Sequence, residues 1–152
     1  MSPSLITAAV PRRTQVAVVT VSWNGSLLRL RPTASAMFEL SSNDQAGVRS
    51  LAGDIYDWGT DVGIEQVVVR RGTSEGPRQT SRDATRIETI LQLLPWTCIH
   101  VPVQRITPWL ASGDWLLPQY NSESHQSPFI KELWRQAIET AAYGLTHDLS
   151  GQ

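Results

Sequence analysis

Several things are scarce in this sequence, and each scarcity narrows what the chain can be. One cysteine, Cys98, occurs in 152 residues. That excludes an internal disulfide framework and fits a reducing, cytoplasmic setting. The formal net charge is −1, so no global field draws the chain to nucleic acid or anionic lipid, and any polyanion site has to be a local patch. No apolar run approaches the ~18 residues a membrane helix needs, so no membrane association is expected. The apolar stretch Leu5 to Val10 is short, is broken by Thr7, and is followed rather than preceded by Arg12 and Arg13. It does not read as a signal peptide. There is no internal repeat and no low-complexity tract.

Signatures of familiar chemistry are equally thin. Gly72-Thr73-Ser74-Glu75-Gly76 lacks the Gly-Lys-Ser/Thr ending of a phosphate loop. His100, His125 and His147 share no ligand spacing, and Cys98 two residues before His100 is too little for zinc. No Ser-His-Asp arrangement can be argued. No cofactor is expected from these patterns.

What is present is the composition of a globular domain, 41% hydrophobic and 18% charged. A chain of this length suits one domain that buries about 68–70% of its unfolded surface. The reading divides it into a flexible N-terminal arm (1–14), a folded domain (15–146) and a short C-terminal tail (147–152). Glu65 to Pro95 is its most informative stretch: a β-branched strand (Val67, Val68, Val69), a Gly/Ser/Pro loop, then an amphipathic helix over about Ser81 to Leu94 that buries Ala84, Ile87, Leu91 and Leu94. Another strand follows at Thr97 to Val103. Parallel strands need a crossover of this kind, which makes the stretch one βαβ unit.

Upstream, Gln15 to Ser22 reads as a nearly continuous apolar strand. Asn24-Gly25 gives a type I′ hairpin signal, because that turn demands positive φ at both central residues. Leu27 to Arg31 is the return strand, and Ser35 to Leu40 the third, with Met37 and Phe38 turned inward. Ser42 to Gln45 matches a capping box with Ser42 as N-cap. Val48, Leu51, Ala52 and Ile55 then give helical periodicity to about Trp58. Gln104 to Gln126 is the least regular part, with at most a turn of helix near Pro108 to Ala111, and reads as a lid, binding loop or mobile segment. Ser127-Pro128 opens a last helix whose stripe is Ile130, Leu133, Trp134, Ala137, Ile138 and Ala141.

The predicted order is β-β-β-α-β-α-β-α in a single α/β domain with a mixed sheet, the order of the ribonuclease H-like fold. The sequence also resembles a group of small bacterial proteins related to RuvC-type Holliday-junction resolvases. The resemblance runs from about Val16 to Leu145. It is carried by Ser22-Trp23-Asn24-Gly25, by Val67 to Gly72 with Arg86-Ile87-Glu88, and by Lys131 to Trp134 with Ala141-Ala142-Tyr143. It implies carboxylates at the middle of the first strand, the end of the fourth and near the last helix, which in active members bind two divalent cations for phosphoryl displacement. In this sequence the first of those positions falls at about Ser22 and the second at Arg70, neither of them acidic.

Five arginines, Arg70, Arg71, Arg78, Arg82 and Arg86, lie within 17 residues. They sit at a parallel strand's carboxyl end, where ligands of open α/β sheets bind. The guanidinium fork suits phosphate, so these five are the candidate DNA or RNA contact. The competing reading is a solvated face partly neutralised by Glu75, Asp83 and Glu88. Glu88, Glu132 and Glu139 are the candidate catalytic carboxylates, with Glu123 a further one, and ordinary helix glutamates are the alternative for each. Asp54, Asp57 and Asp61 read as a helix exterior. Trp109 and Trp115 bracket an apolar loop, Trp109 to Leu117, that either packs on the sheet or docks a protein partner or second copy. The function expected is a degenerate, non-catalytic ribonuclease H-like binding module, without a metal. The alternative is a divergent Mg- or Mn-dependent nuclease.

Overall fold

The computed structural model describes residues 4–23, 28–71, 82–112 and 132–147. Its largest departure from the sequence reading is at the start. Residues 4–12 are no loose arm but strand β1 (Ser4–Arg12), paired antiparallel along its whole length with β2 (Gln15–Trp23). The physical reason is the alternation hidden in Leu5 to Val10. Ile6, Ala8 and Val10 turn to one face of the sheet, while Thr7 and Ala9 turn to the other, and both faces are covered. A strand buried on both sides needs no polar alternation.

β2 pairs on its other edge with two short strands, β3 (Leu28–Leu30) and β4 (Ala36–Glu39), joined through a 3-10 turn at Pro32–Ala34. Helix α1 (Gln45–Val62) leads to β5 (Gln66–Arg71), which lies parallel to β1 with Ala8 opposite Val68 and Ala9 opposite Val69. Helix α2 (Arg82–Leu93) crosses to β6 (Thr97–Pro102), parallel to β5. Sheet order is β3-β2-β1-β5-β6, with β4 also on β2. Taking β3 and β4 as one interrupted strand, the predicted element order holds as far as β6, after which the described residues form two helices where one was expected. The antiparallel meander, however, is β1-β2-β3/β4, one strand earlier than the sequence reading placed it.

Two local expectations shift. Asp44, not Ser42, caps α1. Its carboxylate accepts from the Gly47 N–H at 2.8 Å, while the Ser42 hydroxyl donates to Asp44 at 2.7 Å. Those two donors hold the Asp44 carboxyl below its ordinary range, the backbone one most. The first part of the stretch expected to be irregular is helix α3 (Val103–Ser112), with Pro108 inside it. The helix forms because Ile106, Trp109 and Leu110 recur at i, i+3 and i+4 and pack inward, while Pro108 faces solvent. The Asn24-Gly25 turn, the Ser127-Pro128 helix start and the loop beyond Ser112 lie outside the described residues.

Helix α4 (Glu132–Thr146) covers one face of the sheet with Leu133, Trp134, Ala137, Ile138 and Ala141, joined by α3. Helices α1 and α2 cover the other with Leu51, Ile55, Ile87, Ile90 and Leu91. Trp96 is half-buried, with its ring edge against Gly59, where no side chain has room. Among the described residues no helix is long and apolar enough to cross a membrane.

A candidate site at the carboxyl ends of the parallel strands

The carboxyl ends of β1, β5 and β6 meet the first turns of α4 and the start of α2. Strand alternation decides which side chain looks where. Val68 belongs to the α4 core and Val69 to the α1/α2 core. Arg70 therefore turns to α4, and Arg71 to the opposite face. One residue beyond the Ala9–Val69 pair, Val10 and Arg70 stand level on the α4 side.

Arg70 is half-buried there, and its Nη1 is buried without a hydrogen-bond partner. Burial lowers its pKa, and the charges of Glu139 and Glu132 act the other way. Glu139 is also half-buried on α4. Burial raises its carboxyl above the ordinary value, with Arg70 and then Arg135 offsetting part of that and Glu132 adding to it. Glu132, two turns earlier on the same face of α4, pairs with Arg12 from the end of β1 at 3.2 Å, both side chains about half exposed (48% and 57%). An exposed pair of this kind contributes about 0–1 kcal/mol. The group is thus two carboxylates acted on by Arg70, Arg12 and Arg135.

The sequence reading had linked Ser22 with Arg70. The structure separates them. Ser22 lies on β2 opposite Leu5, at the amino end of β1, buried and at the other end of the sheet from Arg70. The first strand of the meander is β1, and Ser4–Arg12 contains no acidic residue. β5 contains none either. Among the described residues no group of three His, Cys, Asp or Glu side chains could hold a metal. The described residues bring two carboxylates, Glu132 and Glu139, to this end, with the half-buried Arg70 guanidinium acting on both.

The remaining candidates divide between the two sides of the sheet. Arg71, Arg82 and Arg86 are exposed on the α2 side, away from Arg70. Glu88 is half-buried on α2 and lies nearer Cys98 than Arg70. Burial first, and the Glu88 charge second, push the Cys98 thiol up to about 11, so it is inert at neutral pH. His100 shares this side, its Nε2 buried without a partner. Burial and then Arg71 hold its pKa down. Asp54, Asp57 and Asp61 are exposed on α1. Trp109 packs inward, edge-on to Tyr143 (5.3 Å) and His147 (5.5 Å), and His147 Nδ1 lies 2.9 Å from the Tyr143 carbonyl. The start of the expected tail is therefore held against α4. Arg78, Glu123, His125, Trp115, Leu116 and Leu117 lie outside the described residues.

Sequence reasoning missed Arg12 and Val10 because it left their strand out of the fold. The available signal was the alternation of Leu5 to Val10. The signal lacking was a turn motif. β1 and β2 are joined by Arg13-Thr14, and Arg13 takes φ +56°, a conformation in which Gly, Asn or Asp is the usual marker.

A sheet of order β3-β2-β1-β5-β6, its meander at one edge and its parallel strands at the other, with helices on both faces, is the ribonuclease H-like architecture. Within that class, the chain is similar to the solved RuvC of Thermus thermophilus. Alone, that protein matches at a TM-score of 0.61 and 10% identity over 91% of this chain and 92% of the other. In complex with Holliday-junction substrate it matches at 0.60 and 11%, over 91% and 90%. At such identity the likeness defines the fold. No family model and no curated protein matches the sequence.

Proposed function

We propose that this chain is a non-hydrolysing ribonuclease H-like module that binds nucleic acid. The observation that carries the reading is Arg70. At the strand end where hydrolytic members of the fold hold a metal-binding carboxylate, this chain puts a half-buried guanidinium that compensates Glu139. A cation there neutralises the α4 carboxylates without a metal, keeps the site assembled, and leaves nothing to activate water. The contact surface is the arginine rim of Arg71, Arg82 and Arg86, extended by Arg78. All three described arginines are exposed. Placement of phosphate contacts beside strand carboxyl ends is the usual arrangement in open α/β sheets. The RuvC structure solved with Holliday-junction substrate makes branched DNA the first ligand to try. A cytoplasmic setting belongs to the same reading.

The test is a mobility-shift titration with single-stranded, duplex and branched DNA and with RNA, at two salt concentrations, with EDTA present throughout. Binding is expected to weaken steeply with salt, by a log–log slope of about 0.7–0.9 for each phosphate neutralised. The triple variant Arg71→Gln/Arg82→Gln/Arg86→Gln should lower that slope by about two to three. A salt-independent shift, or one unchanged in the triple variant, removes this surface from the account.

A further inference from the structure

At the opposite end of the sheet, on the α1/α2 face, lies an open cavity of about 620 Å³. Its size is that of small-molecule sites, roughly 300–1,000 Å³. The floor is explained by register. Thr7 stands directly opposite Thr20 in the β1–β2 pair, and the Arg31 N–H donates to the Thr20 carbonyl at 2.9 Å. Arg31, Thr20 and Thr7 thus form one row across three neighbouring chain segments, all on the cavity side. The turn from α1 into β5 makes the facing wall, with Ile64 and Glu65, and Leu5 sits at the mouth, 61% exposed.

The chemistry of this row differs from the sheet around it. Ala9 and Val18 flank the row on one side, yet here two hydroxyls are buried (6% exposed each) and hydrogen-bonded to one another at 2.9 Å, with buried Ser22 next along the same face of β2. One hydroxyl proton satisfies that bond. The second proton and the spare lone pairs remain available to a further partner. Arg31 and Glu65 add a guanidinium and a carboxylate to the lining, and among the described residues neither has an ion-pair partner. Leu5 and Ile64 add apolar wall.

We infer that this cavity binds a small zwitterion, an α-amino acid with an apolar side chain. Its carboxylate sits on Arg31 and the threonine hydroxyls, its ammonium on Glu65, and its side chain against Leu5 and Ile64. The site is independent of the arginine rim and of Arg70, so it stands or falls apart from the nucleic-acid reading. The probe is L-leucine, followed by amide shifts of Thr7, Thr20, Gly63 and Ile64 in the full chain. Two truncated probes accompany it: 4-methylpentanoate, which lacks the amine, and 3-methylbutylamine, which lacks the carboxylate. Each is expected to bind about tenfold more weakly or worse, the loss of one charge-assisted contact. Arg31→Gln and Glu65→Gln change exposed side chains and leave the fold intact. Arg31→Gln should abolish the advantage of leucine over 3-methylbutylamine, and Glu65→Gln its advantage over 4-methylpentanoate. Thr20→Val, an isosteric change in the floor, should weaken leucine and narrow its advantage over 3-methylbutylamine, while leaving its advantage over 4-methylpentanoate unmoved. Absence of shifts at millimolar leucine, equal binding of the three probes, or preferences unmoved by the two charge variants would each overturn the assignment.

Discussion

The two ends of the sheet share β1 and use it oppositely. Its carboxyl end brings Val10 and Arg12 to a cluster of charges, in which two α4 carboxylates interact with three arginines. Its amino end brings Thr7 to a cavity floor, where hydroxyls are buried and Arg31 and Glu65 line the same space. Charges at the first end offset one another. At the second, neither Arg31 nor Glu65 has an ion-pair partner among the described residues. An end that is conventionally the ligand side of an α/β sheet is therefore the more self-contained one here. Fold alone would have pointed to it, and the side chains point elsewhere as well.

The most severe way to break the comparison is to remove the strand both ends depend on. Deletion of residues 1–13 takes out the centre of the sheet, with its neighbours on both sides and both cores. The loss exceeds the 5–15 kcal/mol that holds a typical domain. The truncated chain is expected to show no cooperative thermal transition by circular dichroism, whereas removal of a true flexible arm would leave the melt unchanged.

Next in size is the charge compensation at the carboxyl end. Arg70→Met strands a half-buried carboxylate and should cost about 1–3 kcal/mol at neutral pH, less than for a fully buried pair because Glu139 keeps some solvent. Arg70→Met/Glu139→Gln should recover most of it, as read by urea unfolding. The pH dependence has a definite sign. A carboxyl raised above its unfolded value binds a proton more readily in the native state. Glu139's contribution is thus fully present below its ordinary pKa of 4.5 and is lost as pH rises through its raised native value. Removing Arg70 should push that native value higher still, visible in the side-chain carboxyl titration by NMR.

A smaller effect distinguishes the α2 side. His100 is depressed below 6.5 by burial and by Arg71. Its contribution is present above pH 6.5 and is lost as pH falls through the lowered native value, because the unfolded chain takes up the proton first. Unfolding free energies at several pH values between neutral and mildly acidic should decline more steeply for the wild type than for His100→Asn. The smallest expected change is at the β1–β2 turn. Arg13→Asn relieves a residue at φ +56° and should add up to about 1 kcal/mol, with no effect on either end of the sheet.

Much of this architecture was readable from the residues, and the failures have physical causes. Val67 to Val69, the α2 stripe and the α4 stripe carry periodicity strong enough to fix the parallel half and the fold class. Asp44 displaced Ser42 as a cap because both are competent acceptors two residues apart, and only backbone geometry decides between them. α3 was hidden by Pro108, whose usual meaning yields when the proline faces solvent and its neighbours are buried. β1 was hidden by its Arg13-Thr14 turn, which carries no glycine or asparagine. That omission displaced the first-strand site position to Ser22 and concealed Arg12. Arg70 was legible as a strand-end cation. Its electrostatic influence on Glu139 was not, since it depends on which face α4 covers.

The central claim is that this ribonuclease H-like site binds without hydrolysing, and cleavage assays test it most directly. Branched, duplex and single-stranded DNA should be incubated with the full chain in EDTA, Mg²⁺ and Mn²⁺, and the products resolved on denaturing gels. The account predicts salt-sensitive binding that is indifferent to the metals, and intact strands in every lane. Metal-dependent products that disappear in Glu132→Gln or Glu139→Gln would contradict it, because those carboxylates would then be ligands and Arg70 no substitute for one.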